Sequence, residues 1–527
     1  MDKTQLIAKL HSRNWVGILK FQSKNKYPCN KKHVPKYLWQ PLDSQNCPEF
    51  LVSSNQLKKM IHSQYTVIQF KEWPTSAVRP TGTVVTYLGP VGDTQAEIQA
   101  RLHYHKLSIP RWKFNPPPLE QLLSEAPHKD YTHLSVYSID PPGCRDIDDA
   151  FSYQSDNRIL GIHIADVTYL LKKYGLLDDH NKFEGRYASV YLPNKINHLL
   201  PEKISTDQAS LLPGVKRLAW TLWLQLSENY LIENSYWERT LIINQKAFSY
   251  DEADRSPIIQ EILLITQKLS ESLFQTIKSH WTTHEMIESL MVIVNHFLAL
   301  KIQTNMKNGI FRIHAEKKNM IAPYLTSMCD PDLNKFLNIL DSQSAEYAWD
   351  TGNYYHYGLS LDKYTHFTSP IRRWVDIYNH LLLEELIYGN KDPNYRPWEV
   401  DLANVNDFNQ RTKRLQRDLD KISMIEACQK KQLWTGYIIG THPRYQIYFP
   451  EPKLLINIRL WSDKINHLIQ VEEKDNIIII NQMFEIHKYK LQKFKLYAQP
   501  KANRLSDKIK VEIDGLSEYL NTFNCTK

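Results

Sequence analysis

The chain has 527 residues, 42% apolar and 23% charged. That excludes a disordered or low-complexity polymer and leaves room for three or four domains around at least one large core. A net charge of +8 and a pI near 8.8 fit a polyanionic partner without requiring one.

Cys29, Cys47, Cys144, Cys329, Cys428 and Cys525 are scattered, with no C-x-x-C pair. Neither a disulfide framework nor a cysteine zinc site is expected, and a reducing, cytoplasmic setting is. The polar opening residues carry no secretory signal, and no apolar run approaches the ~18 residues of a membrane span, so no membrane partner is expected.

Residues 1–62 are basic and aromatic, with little helical periodicity. Lys24, Lys26, Lys31, Lys32 and Lys36 interleave with Tyr27, Tyr37 and Trp39. Cations that follow phosphates and rings that stack on bases suit single-stranded nucleic acid; a solvated loop with anchoring rings reads equally well. Tyr65–Phe70, Gly82–Leu88 and Ala96–Leu102 read as short strands of a small β-barrel, with turns at Gly89 and Gly92-Asp93. Pro116, Pro117 and Pro118 enforce an extended linker and a boundary near 115–118.

Residues 119–430 form a large middle region. Strands are predicted at Leu134–Ile139, Ala150–Tyr153, Leu160–Val167 and Leu218–Leu226, and helices from about residue 251, an α+β arrangement. A helix is predicted over Ser369–Ile387, with Ser369 as N-cap and Pro370 at the first helical position. Ile371, Trp374, Val375, Tyr378, Leu382 and Leu386 recur along it at helical spacing. From Trp434 the chain turns β-like again, and 431–515 fits a five-stranded OB-like barrel.

The sharpest chemical feature is SIDPPGCRDIDDAF at 138–151. Asp140, Asp146, Asp148 and Asp149 fall within ten residues, compensated locally by Arg145 alone. Asp140 ends an apolar strand, and Pro141-Pro142-Gly143 turns the chain so that the other three return beside it. Two bare carboxylates ~4 Å apart repel by about 4 kcal/mol at an effective dielectric near ~20. The cluster therefore needs protons or cations, and hard Mg²⁺ or Mn²⁺ is the natural partner of an all-oxygen site. A solvated acidic turn is the bland alternative, and the apolar strands on either side speak against it. An EF-hand fails because Ala150 and Phe151 stand where an oxygen ligand and a glycine are needed.

A second constellation is YTHFTSPIRRWVDIYNH at 364–380. Free N–H groups and the positive dipole end gather in a first helical turn, so placing Arg372 and Arg373 there is unfavourable unless an anion such as phosphate binds. Asp376 and His380 follow Arg372 at steps of four, and an intrahelical Arg372–Asp376 pair is the competing reading. His163, His314 and His366 read as structural histidines. The lack of H-E-x-x-H, a Walker loop and G-x-S-x-G argues against a zinc peptidase, a P-loop NTPase and an α/β-hydrolase.

Together the two motifs resemble the RNase II/RNase R (RNB) family, in wording nearest its eukaryotic exosome-type members. GIHIADV (161–167), ASVYLP (188–193), LLP (199–201), SLLPGVKRLA (210–219), MIESLMVIVN (286–295) and FRIH (311–314) match in order, so the resemblance covers roughly 130–430. It implies cold-shock-like OB barrels at 1–62 and 63–115, an α+β RNB catalytic domain at 116–430 and a C-terminal OB-fold RNA-binding domain at 431–515.

The activity implied is hydrolytic 3′→5′ degradation of single-stranded RNA to nucleoside 5′-monophosphates. Asp140, Asp148 and Asp149 would hold two Mg²⁺, with Mn²⁺ able to substitute. Asp146 would orient the terminal nucleotide and Arg372 would neutralise charge on the scissile phosphate. The resemblance assigns Tyr191, Arg373, Phe311 and His380 to RNA binding; a strand-edge core tyrosine is the alternative for Tyr191.

Two departures stand out: Trp374 where the family usually has Tyr, and Gln416 within RLQRD (414–418) where many members carry a carboxylate. No PIN-type endonuclease segment is read, so a monomer without exosome docking is expected. The competing classes are a catalytically inactive RNB-fold RNA-binding protein, disfavoured because all four aspartates keep motif spacing, and a DNA-directed metal nuclease, disfavoured by the resemblance alone.

Overall fold

The structure is a computed structural model. It describes residues 2–21, 27, 29, 33–55, 62–178, 180–275, 281–316, 330–349, 352, 354–430, 433–441, 444–458, 470–474, 476–480 and 484–516. Lys24, Lys26, Lys31 and Lys32, with Cys329 and Cys525, lie outside the described residues. The chain divides into two units, one of Met1–Ser108, Asn319–Asp341 and Gln410–Lys527, the other of Ile109–Lys318 and Ser342–Asn409. The divisions thus fall at 108/109 and 409/410 rather than at 115/116 and 430/431, and residues 319–341 join the first unit.

In the first unit, β1 (Trp15–Lys20), β2 (Lys36–Pro41), β3 (Phe50–Ser53), β4 (Gln64–Glu72) and β5 (Thr81–Pro90) close a barrel in the order β1-β2-β3-β5-β4. This corrects the expected pair of barrels split at residue 62. Strand β4 lies beyond that point yet pairs with β1, Trp15 opposite Ile68, so 1–62 alone holds three strands and cannot close. The barrel interior is filled by Trp39, Phe50, Val52 and Ile68, all fully buried. The Trp39 indole Nε1 donates to Thr66 Oγ1 at 2.9 Å, which satisfies its one polar group. A Cβ at Gly17 would stand 2.3 Å from the Gln40 carbonyl oxygen and 2.5 Å from the Trp39 ring, so only glycine fits where β1 passes β2.

A second correction concerns Ala96–Leu102, which is part of a helix, Thr94–Tyr104, and not a strand. Ala96, Ile98, Ala100 and Leu102 alternate in sequence and imitate a period of two. The helix wins because Asp93 caps it, its side chain accepting from Ala96 N at 2.7 Å, and because Ala, Gln, Glu, Arg and Leu are strong helix formers. The alternating apolar residues are all buried.

The C-terminal strands of this unit pair as a five-stranded sheet in the order Leu454–Ile458, Tyr445–Phe449, Leu433–Gly440, Leu491–Ala498, Ile509–Ile513. A separate three-stranded sheet holds Val471–Lys474, Ile477–Ile480 and Phe484–His487. Among the described residues no pairing closes the larger sheet into the expected barrel. The helix Pro331–Asp341 buries Leu333 and Leu337 against Tyr437 and Tyr448, and Phe336 stacks on Tyr448 at 3.7 Å.

The second unit is built on β6 (Lys129–Asp130), β7 (Val136–Ile139), β8 (Asp149–Gln154) and β9 (Ile159–Ala165), the small hairpin β10 (Val190–Leu192) and β11 (Lys195–Asn197), and the long strands β12 (Lys216–Leu226) and β13 (Ile232–Phe248). The main sheet runs β12-β9-β8-β7-β13-β6. β13 also pairs with β12 along its first part and with β7 at Asn244–Phe248, which brings the sheet back on itself. β12 is buried at nine of eleven positions, as expected of a strand covered on both faces.

The helices Pro257–Phe274, Thr283–Asn305 and Trp374–Tyr388 contribute to the same core, in which Phe151, Ile162, Trp220 and Leu222 are buried. Thr282 and Glu285 form a reciprocal capping box that starts the second of these helices where the apolar run begins. Among the described residues no helix is long and apolar enough to cross a membrane.

The Asp93 cap yields a direct test. Asp93→Ala should lower stability by about 1 kcal/mol, the usual worth of an N-cap side chain, and shift the urea unfolding midpoint downward. An unchanged midpoint would mean that tertiary burial alone fixes this helix.

Candidate active site

The acidic motif is the connection between β7 and β8. These strands are antiparallel, with Tyr137 opposite Phe151, so continuing the register places Asp149 across from Ile139 and next to Asp140. Cys144 N donates to the Pro141 carbonyl at 3.1 Å, with Pro142 and Gly143 between them and Gly143 at φ +81°. Proline followed by a left-handed glycine is the signature of a type II turn, which reverses the chain just after Asp140.

Main-chain bonds hold the rest. Asp140 N donates to Phe248 O at 2.9 Å, Ala165 N to Asp148 O at 2.9 Å, and Leu211 N to Ile147 O at 3.0 Å.

The arginines sit differently from the expectation. The helix begins at Trp374 with Arg373 as its N-cap residue, and 369–372 form a turn before it. Arg373 is extended, with φ −131° and ψ 126°, which keeps the helix from starting at Pro370, and carboxylates meet the N–H groups of the turn: Ser369 N donates to Asp376 Oδ1 at 2.7 Å and Ile371 N to Asp148 Oδ1 at 2.9 Å. Ser189 N donates to Arg372 O and Trp374 N to Tyr187 O, which fixes the turn beside the strand entering β10. Arg372 and Arg373 therefore precede the helix instead of crowding its first turn. Arg372 Nε donates to Asp148 Oδ2 at 3.1 Å and its NH2 to Ser369 Oγ at 2.8 Å. Asp376 pairs with Arg373, not with Arg372, at 2.7 Å.

All four aspartates, both arginines and Tyr191 line one cavity of about 500 Å³. Burial pushes Asp140 up to about 6, with Asp146 adding to the rise, and Asp148 up to about 7 against the opposing pull of Arg372. Asp149 is raised well above the carboxylate range, by burial first and then by Asp140 and Asp148. Burial alone would lower Arg372, but Asp148 and its neighbours more than offset that and keep the guanidinium charged. The two donors on separate oxygens of Asp148 suit the ionised form of that pair.

The site is therefore short of positive charge, and Asp140 Oδ2 is buried with no hydrogen-bond partner among the described residues. An all-oxygen, charge-starved donor set fits a hard divalent ion, with Asp140 Oδ2 and the Asp149 carboxylate as the natural donors. Asp148 has both oxygens engaged. Among the described residues no group of three His, Cys, Asp or Glu side chains is arranged to hold a metal ion by itself.

Tyr191 is 42% exposed, and its hydroxyl donates to Asp146 Oδ2 at 2.8 Å, so it is not a core tyrosine. Burial, then Asp146, holds that hydroxyl protonated, well above the usual phenol range. Arg373 lines the same cavity, and its Nε is buried without a partner among the described residues.

Two expected RNA-binding residues are corrected. Phe311 is 0% exposed, its ring packed on Tyr354 at 4.7 Å. His380 is also fully buried, with Nε2 2.9 Å from Phe367 O and its ring stacked on Phe367 at 3.8 Å. Neither has surface to offer to RNA. Gln416 does not line the cavity either; its amide donates to Asp420 at 2.9 Å on the exposed side of the helix Leu402–Cys428.

The sequence reading missed Tyr250, Glu288, Asn295 and Tyr364, which also line the cavity. Glu288 and Asn295 fall inside MIESLMVIVN but were read there only as matching text. Asn295 braces the 364–368 segment, its Nδ2 donating to Tyr364 Oη at 3.0 Å and its Oδ1 accepting from Phe367 N at 2.8 Å. Tyr250, stacked on His284 at 3.7 Å, follows the helix cap Ser249, and no chemical motif marks it.

Comparison with known proteins matches the chain to one family. The RNB domain model matches residues 128–258 and 257–389, and the model of the Dis3-like cold-shock domain 2 matches residues 36–106. The exosome complex exonuclease RRP44 of Mus musculus is 27% identical over 461 residues, covering 72% of this chain and 47% of that protein. Ribonuclease R of Chlamydia pneumoniae is 27% identical over 383 residues, covering 59% of this chain and 56% of that protein. The chain thus spans about half the length of the curated relatives it matches.

Among solved structures, Mycoplasma genitalium RNase R in complex with ribose-methylated single-stranded RNA shares the fold with a TM-score of 0.71 at 18% identity, covering 95% of this chain and 89% of that one. Yeast Ssd1, described as a pseudonuclease, does so with a TM-score of 0.68 at 15% identity, covering 95% and 83%.

The raised carboxylates predict a pH signature. With Asp140 at about 6 when folded and 3.8 as its ordinary value, the folded state binds more protons between those values, so stability falls as pH rises through that window. In EDTA, Asp140→Asn should melt close to wild type near pH 4 and several degrees higher near pH 7.5, a gain of up to roughly 3 kcal/mol. Added Mg²⁺ should raise the wild-type melting temperature and narrow the gap. Equal melting at both pH values would show that Asp140 carries no buried-charge penalty.

Proposed function

The chain belongs to the RNB family, and on that premise we propose that it hydrolyses single-stranded RNA from the 3′ end, releasing nucleoside 5′-monophosphates. The observation that carries this reading is the single cavity in which four aspartates of the β7–β8 connection meet the arginines of the 369–373 turn. A cavity with both signs of charge can receive a phosphodiester: the arginines attract its oxygens, and the carboxylates need a cation that the phosphate helps to hold.

The chemistry that bound Mg²⁺ supplies is activation of water and stabilisation of the leaving 3′-oxygen; Asp140 and Asp149, with Asp148 beside them, would hold it. Mn²⁺ has the same preference for oxygen and would substitute. Mg²⁺ is commonly carried by one or two carboxylates together with substrate phosphate oxygens, so no preformed three-ligand protein cage is needed.

Arg372 would place its guanidinium on the non-bridging oxygens of the scissile phosphate, where negative charge grows in the transition state. Its bond to Asp148 fixes that aim beforehand. Tyr191 presents an exposed ring for the terminal base and ties Asp146 in place through its hydroxyl. Asp146 Oδ1, met within the protein by the Cys144 thiol at 3.6 Å, would accept from a ribose hydroxyl, the contact that separates RNA from DNA.

The second reading is an RNB-fold protein that binds RNA without cleaving it; the fold likeness to a pseudonuclease supports keeping it in view. One experiment separates the two. On 5′-labelled single-stranded RNA, the wild type should shorten the substrate to a small labelled end product with Mg²⁺ and not with EDTA. Asp149→Asn should abolish shortening while RNA still shifts on a native gel. Arg372→Ala should lower kcat by about 10²–10³-fold, the usual loss for one transition-state donor. Wild-type cleavage by Asp149→Asn would remove the metal assignment. Intact RNA that still shifts with the wild type would establish the binding-protein reading.

A further inference from the structure

The RLQRD run has no role in the aspartate cavity, yet it builds a second one within the first unit. Arg414, Arg417, Asp418 and Lys421 lie at steps of three and four on the helix Leu402–Cys428 and so share a face. That face lines a cavity of about 420 Å³. Arg101 and Tyr104 of the helix Thr94–Tyr104 line it too, as does Arg504 from the segment before the last described strand. Apolar surface comes from Ile18, Leu42 and Leu505.

The charge in this cavity is one-sided: five permanent cations line it, with Asp418 as the single carboxylate. Asp418 is already surrounded, with His105 Nε2 at 2.9 Å, Lys421 at 3.9 Å and Arg101 at 4.0 Å. Arg101 is further engaged by Glu97 at 2.8 Å, and Glu97 also pairs with the buried Lys508. Arg414, Arg417 and Arg504 are exposed, and among the described residues none of the three has a carboxylate partner within salt-bridge distance. Arg417 and Lys421, four apart on one helix, repel each other, as do Arg414 and Arg417. A concave wall of unneutralised guanidiniums concentrates positive potential, and the planar fork of arginine matches phosphate oxygens two at a time. The volume exceeds that of a lone phosphate and suits a ligand with an apolar or planar part against Tyr104 and Leu42.

We propose that this cavity binds the clustered phosphates of a nucleotide, as a second polyanion site that shares no lining residue with the aspartate cavity. The phosphates have two sources, a free nucleoside diphosphate or successive phosphodiesters of an RNA strand. Recognition requires no turnover and does not rest on the nuclease reading.

The test uses the intact chain in EDTA, where no cleavage interferes. ADP binding is followed by calorimetry, and binding of a 5′-labelled oligoribonucleotide by anisotropy across a salt series. The variants are Arg414→Ala/Arg417→Ala and, on a separate element, Arg504→Ala. All three side chains are exposed, and melting curves check that each variant is folded. ADP affinity should fall at least tenfold in both variants. If RNA affinity is then unchanged, the site serves free nucleotides. If ADP gives no heat but the variants weaken RNA binding tenfold and flatten its salt dependence, the site holds the RNA backbone. If neither ligand distinguishes the variants from wild type, the assignment is overturned.

Discussion

Asp148 accepts one hydrogen bond from the backbone of Ile371 and one from the guanidinium of Arg372, 223 and 224 residues further along the chain. It is 4% exposed, so losing either donor would leave an incompletely paired charge in a place that water barely reaches. This contact binds the β7–β8 connection to the turn before the helix Trp374–Tyr388 and sets the relation between the acidic and basic halves of the site. Beside it, the backbone of Arg373 is extended, with φ −131° and ψ 126°, and bridged to Ala188 through Ser189 N to Arg372 O and Trp374 N to Tyr187 O. What the local sequence favours, a helix starting at Pro370, gives way because the bridge to Ala188 holds residue 373 out of the helical path.

The sheet explains why four carboxylates can be held so close. Asp140 and Asp149 stand at the ends of two antiparallel strands whose register is fixed by buried side chains on both faces, and a one-residue slip would expose that core. The repulsion among the aspartates is therefore borne by the sheet as a whole and not by the loop. The result is that Asp140, Asp148 and Asp149 have raised proton affinity, an arrangement typical of functional sites.

Much of this was legible in the sequence because it is local. The acidic run, its flanking strands and the turn at Pro142-Gly143 all lie between Val136 and Gln154, and the RNB resemblance supplied the rest of the layout. The misreadings share a cause as well. Ala96–Leu102 alternates like a strand, and only the Asp93 cap and the helix-forming residues between the apolar ones tip the balance. Phe311 and His380 carry the residue types of nucleic-acid contacts, but residue type does not show burial; the core claims both. One barrel was read as two because strand pairing between β1 and β4, some fifty residues apart, leaves no local mark. Tyr250, Glu288 and Tyr364 reach the cavity from three separate segments; Glu288 and Tyr364 lie inside runs already singled out, but only the fold shows that they face the aspartates, and no motif marks Tyr250.

The anchoring of the acidic connection through main-chain atoms has a consequence for how this protein tolerates mutation. Asp140 hangs from the Phe248 carbonyl, Asp148 is held by the Ala165 amide, and the Ile147 carbonyl by the Leu211 amide. None of these partners is a side-chain group, so substitution at positions 165, 211 or 248 leaves the hydrogen bond available as long as the backbone path is kept. Proline at 165 or 211 is the exception, since it removes the donor. The strands around the cluster are thus free to exchange one apolar residue for another, while the aspartates and Arg372, whose roles rest on their own side-chain atoms, have no such latitude. Much of the robustness is delegated to the backbone, and fragility gathers in the side chains that meet in the cavity and in Ser210, whose Oγ accepts from Ile147 N at 2.9 Å.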